Sequence, residues 1–305
     1  MMLATRLLAF HWVLYVFIAT AQAETEKTVP IRSYKDVLSL FERLNYTPKA
    51  WKAGIREIPR VFLSDIPERW SKVGSRQVSV QDKKRIFFRI MGPLILKANE
   101  LVLAERKQLF GATGNTKPSV NDASALADLA ERYRVIRKGD KLDDNALAEL
   151  KRRIDIVPVS LALAQGAEES GWGTSRFAHL GNAVFGQWTW GGKGIMPKEQ
   201  RTGKGNYKIA AYESPLDSVK AYIFNINSNA AYAQLRSRRA EMRATGETIS
   251  GWKLAETLTR YSERGAAYVK SLHHLMRINY LSPTDEARLA VGPIYILKPI
   301  GEGAQ

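Results

Sequence analysis

Apolar residues recur at helical spacing through most of the chain. Ser33-Tyr-Lys-Asp36 opens the first such segment with capping-box chemistry, and Tyr34, Val37, Leu38, Phe41 and Leu44 form its apolar face. Pro48, Pro59 and Pro67 break residues 46–82 into turns and short helices. Lys83–Phe110 reads as a long helix with Phe87, Ile90, Leu94, Ala98 and Leu101 on one side, kinked at Gly92-Pro93. Its basic start, Lys83-Lys-Arg85, is either a solvated helix end or a contact for a polyanion. Helices are expected over Ser124–Val135 and Asp143–Ile154, the second with Leu147, Leu150 and Ile154 in phase. Pro158 then opens a segment that is almost wholly apolar or small as far as Ala167, which predicts a helix buried on most sides. Ser214-Pro215-Leu-Asp217 supplies a cap, a first-turn proline and a first-turn acid to a helix whose buried face is Val219, Tyr222, Ile223 and Ile226. Two further helices are expected near Ser250–Thr259 and Ala266–Tyr280.

Periodicity fails in three places. Gly111–Ser124 is rich in Gly, Thr, Asn, Pro and Ser and reads as a linker. Residues 186–212 mix glycine and lysine with Trp188, Trp190, Tyr207 and Tyr212, the pattern of an irregular loop or short hairpin. After Pro283 the chain looks extended and loosely held. The division that follows is 1–23, 24–110 (an N-terminal helical region), 111–123 (a linker), 124–282 (the main helical domain) and 283–305 (a C-terminal tail).

The first of these segments has its own chemistry. Arg6, an apolar run from Leu7 to Ala19 and Ala21-Gln-Ala23 describe a secretory signal peptide cleaved near Ala23. The run is short for a membrane span and holds His11, and no later stretch is apolar for long enough, so no transmembrane span is expected after cleavage. The full chain carries +16, and loss of residues 1–23 removes one arginine and no acid. Such a basic exported protein points to an anionic polymer or surface as partner, whether anionic envelope polymers of the wall, anionic lipid headgroups or extracellular nucleic acid, or is basic only for solubility; nucleic acid, suggested by charge alone, is the weakest of these and is not expected. There is no cysteine, so an oxidising compartment is tolerated without disulfides and thiol chemistry is excluded.

Other chemistries are removed by elimination. G-x-S-x-G, a Walker loop and G-x-G-x-x-G are all lacking. His179, His273 and His274 form no H-E-x-x-H, so neither a metal nor a cofactor is expected. Carboxylates and tyrosines remain, which suits glycoside cleavage. The buried helix ends in Glu168 and Glu169, with Gly171 placed to cap it. A carboxyl at the negative pole of a helix and beside Trp172 should have a raised pKa, as a general acid needs. A frayed, solvated helix end accounts for the pair equally well, and periodicity does not choose between the two glutamates.

Ala167-Glu-Glu-Ser-Gly-Trp-Gly-Thr-Ser175 followed by Asn182-Ala-Val-Phe-Gly186 resembles the core motif of the bacterial glucosaminidase domain, family 73 of the glycoside hydrolases. Gln187-Trp-Thr-Trp190 is similar to its Bax-like branch, and the resemblance is strongest over residues 140–280. It implies a mainly α (α+β), lysozyme-like domain with a small β or irregular lobe, acting on peptidoglycan glycan strands. The expected reaction is cleavage of the β-1,4 bond between N-acetylglucosamine and N-acetylmuramic acid in the periplasm or cell envelope.

The family's catalytic glutamate directly precedes Ser-Gly-Trp-Gly and so falls on Glu169. Its second carboxylate lies in the lobe, where Glu199 is favoured and Glu213 stands at the end. Its active-site tyrosine resembles Tyr261, in Tyr261-Ser-Glu-Arg-Gly-Ala-Ala-Tyr268, where Arg264 is unusual. Gln165, Asn182, Gln187, Trp188, Trp190 and Tyr268 are the expected substrate contacts; Asn182 serves equally to hold its loop, and the tryptophans to form a small core. A lytic transglycosylase, or a wall-binding module that keeps the cleft without catalysis, are the alternatives. Asn182-Ala-Val-Phe-Gly-Gln-Trp188 stands where transglycosylases often carry Gly-Leu-Met-Gln, which favours hydrolysis.

Overall fold

The computed structural model describes residues 25–72, 78–113, 120–203 and 205–301. The expected signal peptide lies outside them, as do residues 114–119 of the expected linker; on either side of those the expected linker is shorter than predicted, because one helix runs to Ala112 and the next begins at Val120. In chain order the elements are β1 (Glu26–Ile31), α1 (Tyr34–Arg43), α2 (Pro48–Lys52), β2 (Glu57–Ile58), β3 (Val61–Leu63), α3 (Glu68–Lys72), α4 (Val80–Ala112), α5 (Val120–Arg132), α6 (Asp144–Arg153) and α7 (Val159–Ser170). Then come α8 (Arg176–Gly181), β4 (Trp188–Thr189), β5 (Gly194–Ile195), β6 (Lys208–Ala210), α9 (Pro215–Ser228), α10 (Ala233–Ala244), α11 (Gly251–Ala255), α12 (Ala266–Ile278), β7 (Arg288–Leu289) and β8 (Ile294–Pro299). The fold is mainly α with short strands, as the sequence predicts. Among the described residues no helix is long and apolar enough to cross a membrane.

Local signals place the helix ends. Ser33 and Asp36 form the reciprocal capping box at α1, Ser214 caps α9 ahead of Pro215, and Gly171 ends α7 in the left-handed conformation. The long helix α4 runs unbroken through Pro93 and is buried on all sides from Ile90 to Leu96, so it is the axis of the molecule rather than an amphipathic surface helix. Leu101, expected on its apolar face, is 40% exposed. One core joins α1, β3 and α4 to α7, α9, α12 and β8. A second, around Leu109, Leu129 and Leu150, ties α5 and α6 to the end of α4.

The tail is not loosely held. β8 is the central strand of a three-stranded parallel sheet, with β1 and β3 on its flanks, and Leu297 is fully buried. An edge strand can stay wet, but a central one forms backbone bonds on both sides and cannot be peripheral. The helix α10 was not expected. It buries Arg236 and Arg239 beside Leu235 and Met242, which hides it from a hydrophobicity pattern. Arg239 donates to the carbonyls of Arg152, Arg153, Asp155 and Ile156 and to Asn227 Oδ1. Arg243 forks onto both oxygens of Asp155 at 2.8 and 3.1 Å. These arginines fix the segment that leads into α7.

Candidate active site

The helix α7 is held at both ends and along its length. Pro158 has no side chain with which to cap it. Asp285, from the segment after α12, reaches in instead and accepts from Ser160 N and Oγ (both 2.8 Å) and from Gly251 N (2.9 Å). It thereby caps α7 and α11 together. Burial outweighs these bonds and pushes its carboxyl up to about 6. Asn99 of α4 clamps Val157 in both directions, donating to its carbonyl at 2.8 Å and accepting its N–H at 3.1 Å. Midway, Gly166 lets Phe87, Val184 and Phe185 close on the helix; a Cβ there would meet them at 3.3–3.4 Å.

Beyond Ser170 three successive residues, Gly171, Trp172 and Gly173, take positive φ (57°, 64° and 76°). Ser170 secures this turn, donating to Gly166 O and accepting from Gly173 N. Trp172 packs edge-on against Phe87 and Phe88, under the ammonium of Lys84. It was expected to shield the carboxyl pair; its ring contacts are with α4 instead.

The two glutamates end in different surroundings. Glu168 accepts from Arg264 Nη1 at 2.5 Å and Ser271 Oγ at 3.1 Å. It is paired with a cation, and Arg264, odd in the sequence, has this partner. Glu169 accepts from Tyr268 Oη at 3.1 Å. Behind it runs a buried relay in which Tyr222 Oη donates to Gln165 Oε1 (2.6 Å) and Gln165 Nε2 donates to Tyr268 Oη (3.1 Å). Tyr261 stacks on Tyr268 at 5.2 Å, and Tyr232 leans on Tyr261 at 5.9 Å. Burial raises the pKa of Tyr222, Tyr232, Tyr261 and Tyr268, and the negative charge of Glu169 adds to the rise in each. Glu169 is exposed as a residue, while the packing around its carboxyl, which includes Tyr268, removes part of its water. Burial therefore raises its pKa and Glu168 adds to the rise, against pulls from the Tyr268 hydrogen bond and Arg264. Gly186, at φ 55°, leaves the Oε2 side open.

The lobe is the antiparallel sheet β4-β6-β5 over a small core of Ala183, Tyr207 and Ile209. Trp188 lies face to face with Tyr207 at 4.1 Å, under the guanidinium of Arg201. Trp190 is 67% exposed. The Gln187 amide accepts from Tyr212 Oη at 2.6 Å and donates to Ala221 O at 3.3 Å. Asn182 accepts Ile66 N–H at 2.9 Å and donates to the carbonyls of Tyr212 and Glu213. Its side chain thus ties the lobe to the N-terminal region. Glu199 is exposed on the lobe surface, and Glu213 pairs with Lys193 at 2.6 Å. Arg201 bridges to Glu263 at 3.4 Å, linking the lobe to the Tyr261–Tyr268 segment.

The structure therefore gathers Gln165, Glu169, Tyr261 and Tyr268 into one set of contacts. It puts Trp188, Trp190 and Glu199 on the lobe and commits the side chains of Gln187 and Asn182 to protein partners. Tyr232, Ser271 and the Arg201–Glu263 bridge were not foreseen. Nothing local marks them, because each meets its partner across 29 residues or more.

A mainly helical domain in which a carboxyl meets a tyrosine cluster, beside a small β lobe, holds the groups that carboxyl-dependent glycoside cleavage uses. Residues 144–281 match the family described as mannosyl-glycoprotein endo-beta-N-acetylglucosaminidase. Protein bax of Escherichia coli (strain K12) is 32% identical over 199 residues, which cover 65% of this chain and 70% of that protein. The chain belongs to the glucosaminidase family of glycoside hydrolases. No solved structure matches it.

Proposed function

We propose that the protein is an exported peptidoglycan hydrolase that cuts the β-1,4 bond between N-acetylglucosamine and N-acetylmuramic acid, with Glu169 as general acid. The observation that carries this reading is the contrast between neighbours. Glu168 is paired with Arg264, whereas Glu169 carries a raised pKa and has one oxygen free beside Gly186. Glu169 delivers its proton to the leaving glycosidic oxygen as the C1–O bond breaks. Tyr268 and the Gln165–Tyr222 relay hold the carboxyl in place, and Tyr261 stands beside the developing oxocarbenium ion. Trp190, with its ring in solvent, stacks on a sugar face; Trp188 supports it from the lobe core.

Two routes complete the reaction. Glu199 activates water on the far face of the sugar, which requires the carboxyls to stand roughly 6.5–9.5 Å apart in the working complex. In the other, the carbonyl oxygen of the substrate's N-acetyl group attacks C1 and water opens the resulting ring. We assign catalysis to residues 124–282, supported by the family match over 144–281, and place the mature protein in the periplasm or cell envelope after cleavage near Ala23. Mass spectrometry of wall fragments released by residues 24–305 tests the reaction. Reducing N-acetylglucosamine ends support hydrolysis; anhydro-muramic ends would make the protein a transglycosylase, and binding without fragments would make it a wall-binding module.

A further inference from the structure

Two cavities stand away from Glu169. One, of about 170 Å³, is an apolar space between α4 and the Trp172 turn. The other is a groove of about 890 Å³ where α2, the start of α4, the first half of α7 and the end of α12 meet. Its chemistry is lopsided. Lys52, Arg56, Lys84, Arg85 and Arg89 line it, and no carboxylate among the described residues does. Aromatic rings alternate with the cations: Tyr46, Trp51 and Phe88 form its walls. At its rim stand three large apolar side chains left in solvent, Val80 (66% exposed), Ile278 (44%) and Tyr280 (80%).

The cations are held in position but incompletely used. Arg56 sits over the Trp51 ring at 4.2 Å and donates to Trp51 O, while its Nε is buried without a hydrogen bond, 3.7 Å from Glu286 Oε2. Arg85 pairs with Asp82 at 3.0 Å, and its Nε too lacks a hydrogen bond. Arg89 is fixed by donation from Nε to Tyr46 O at 2.8 Å. Guanidinium groups stacked on rings are the fittings for carboxylates, and the adjoining aromatic faces suit aliphatic side chains. The size falls within the range of sites for small ligands, about 300–1,000 Å³, so the groove fits a short chain rather than a protein domain. Glu169 rises from the C-terminal end of α7, whereas the groove touches Val159 and Leu163 nearer its start. An occupant of the groove is therefore bound separately from the sugar being cut.

We propose that this groove binds the short, carboxylate-bearing peptide stems of the wall polymer and anchors the enzyme on its substrate. The proposal rests on the peptidoglycan reading of the function. Wild-type protein and Glu169→Gln are titrated with tetrapeptide stems freed of sugar, following Trp fluorescence or NMR shifts. Both should bind alike, with affinity falling as salt rises. Lys52→Glu/Arg85→Glu should lose at least tenfold in affinity. Tyr280→Asn, which keeps the left-handed backbone (φ 52°), should lose severalfold. Both variants should cut peptide-free glycan at the wild-type rate and intact wall more slowly, with unchanged circular dichroism. Stem binding untouched by the charge reversal, no stem binding by an enzyme that cuts wall, or binding of phosphatidylglycerol vesicles in place of stems would overturn the groove assignment and leave the function standing. Stem binding by a protein that releases no wall fragments would overturn the hydrolase and leave the groove.

Discussion

Asp285→Ala tests the account of how α7 is positioned. The carboxylate accepts three hydrogen bonds, and two of the donors are backbone N–H groups, of Ser160 and Gly251, at the starts of α7 and α11. Both residues are buried, so water cannot replace the lost acceptor. A buried donor left without a partner costs about 1–3 kcal/mol, and a lost N-cap about 1 kcal/mol. Relief of a buried carboxyl, whose strain shows as the rise to about 6, offsets part of this. The expected net loss is about 2–4 kcal/mol. For a chain of this size each kcal/mol lowers Tm by roughly 2–4 °C, so the midpoint should fall by about 5–15 °C. Asp285→Asn retains one acceptor oxygen and should lose about half as much. Urea unfolding of residues 24–305 at pH 7, followed by circular dichroism, gives the difference directly. A loss below about 0.5 kcal/mol for the alanine variant would refute the shared cap.

Three further outcomes follow from the geometry. A general acid works only while protonated, so kcat/KM should fall as pH rises through the Glu169 pKa. Glu168→Gln removes a push on that pKa and should move the fall to lower pH; Arg264→Ala removes a pull and should move it to higher pH. A pH–rate profile unmoved by either substitution would disconnect Glu169 from the limb. Arg239→Met strips hydrogen bonds from the residues 152–156 backbone and leaves Asp155 with less counter-charge; it should cost about 3–5 kcal/mol in urea unfolding, and a loss under 1 kcal/mol would show the guanidinium to be dispensable. Trp190→Ala should raise KM for glycan strands severalfold with Tm unchanged, whereas an unaltered KM would remove Trp190 from the binding surface.

What the sequence disclosed was short in range. The capping box at Ser33, the N-cap at Ser214 and the Gly171 stop were legible because both partners of each contact lie within four residues. The buried character of α7 was legible from its unbroken apolar run. The helix α10 was not, because its inward face carries Arg236 and Arg239, and their acceptors lie as far as 87 residues away. Nor was the sheet, since Glu26 of β1 pairs with Ile294 of β8, at the opposite end of the chain. The candidate site divides along the same line. The Glu168-Glu169 pair could be read, but what distinguishes its members could not, because Arg264 comes from 96 residues further on. Trp172 was the nearest ring in sequence, and the structure turned it to α4; the tyrosine that bonds Glu169, Tyr268, comes from α12, 99 residues further on.

The most direct measurement compares muropeptide release from purified wall by wild type, Glu169→Gln and Glu168→Gln, each confirmed as folded. The account predicts that Glu169→Gln loses at least 10²-fold in rate, while Glu168→Gln releases the same fragments, ending in reducing N-acetylglucosamine, within about tenfold of wild type near its own pH optimum. Equal rates from Glu169→Gln and wild type, or loss confined to Glu168→Gln, would contradict it.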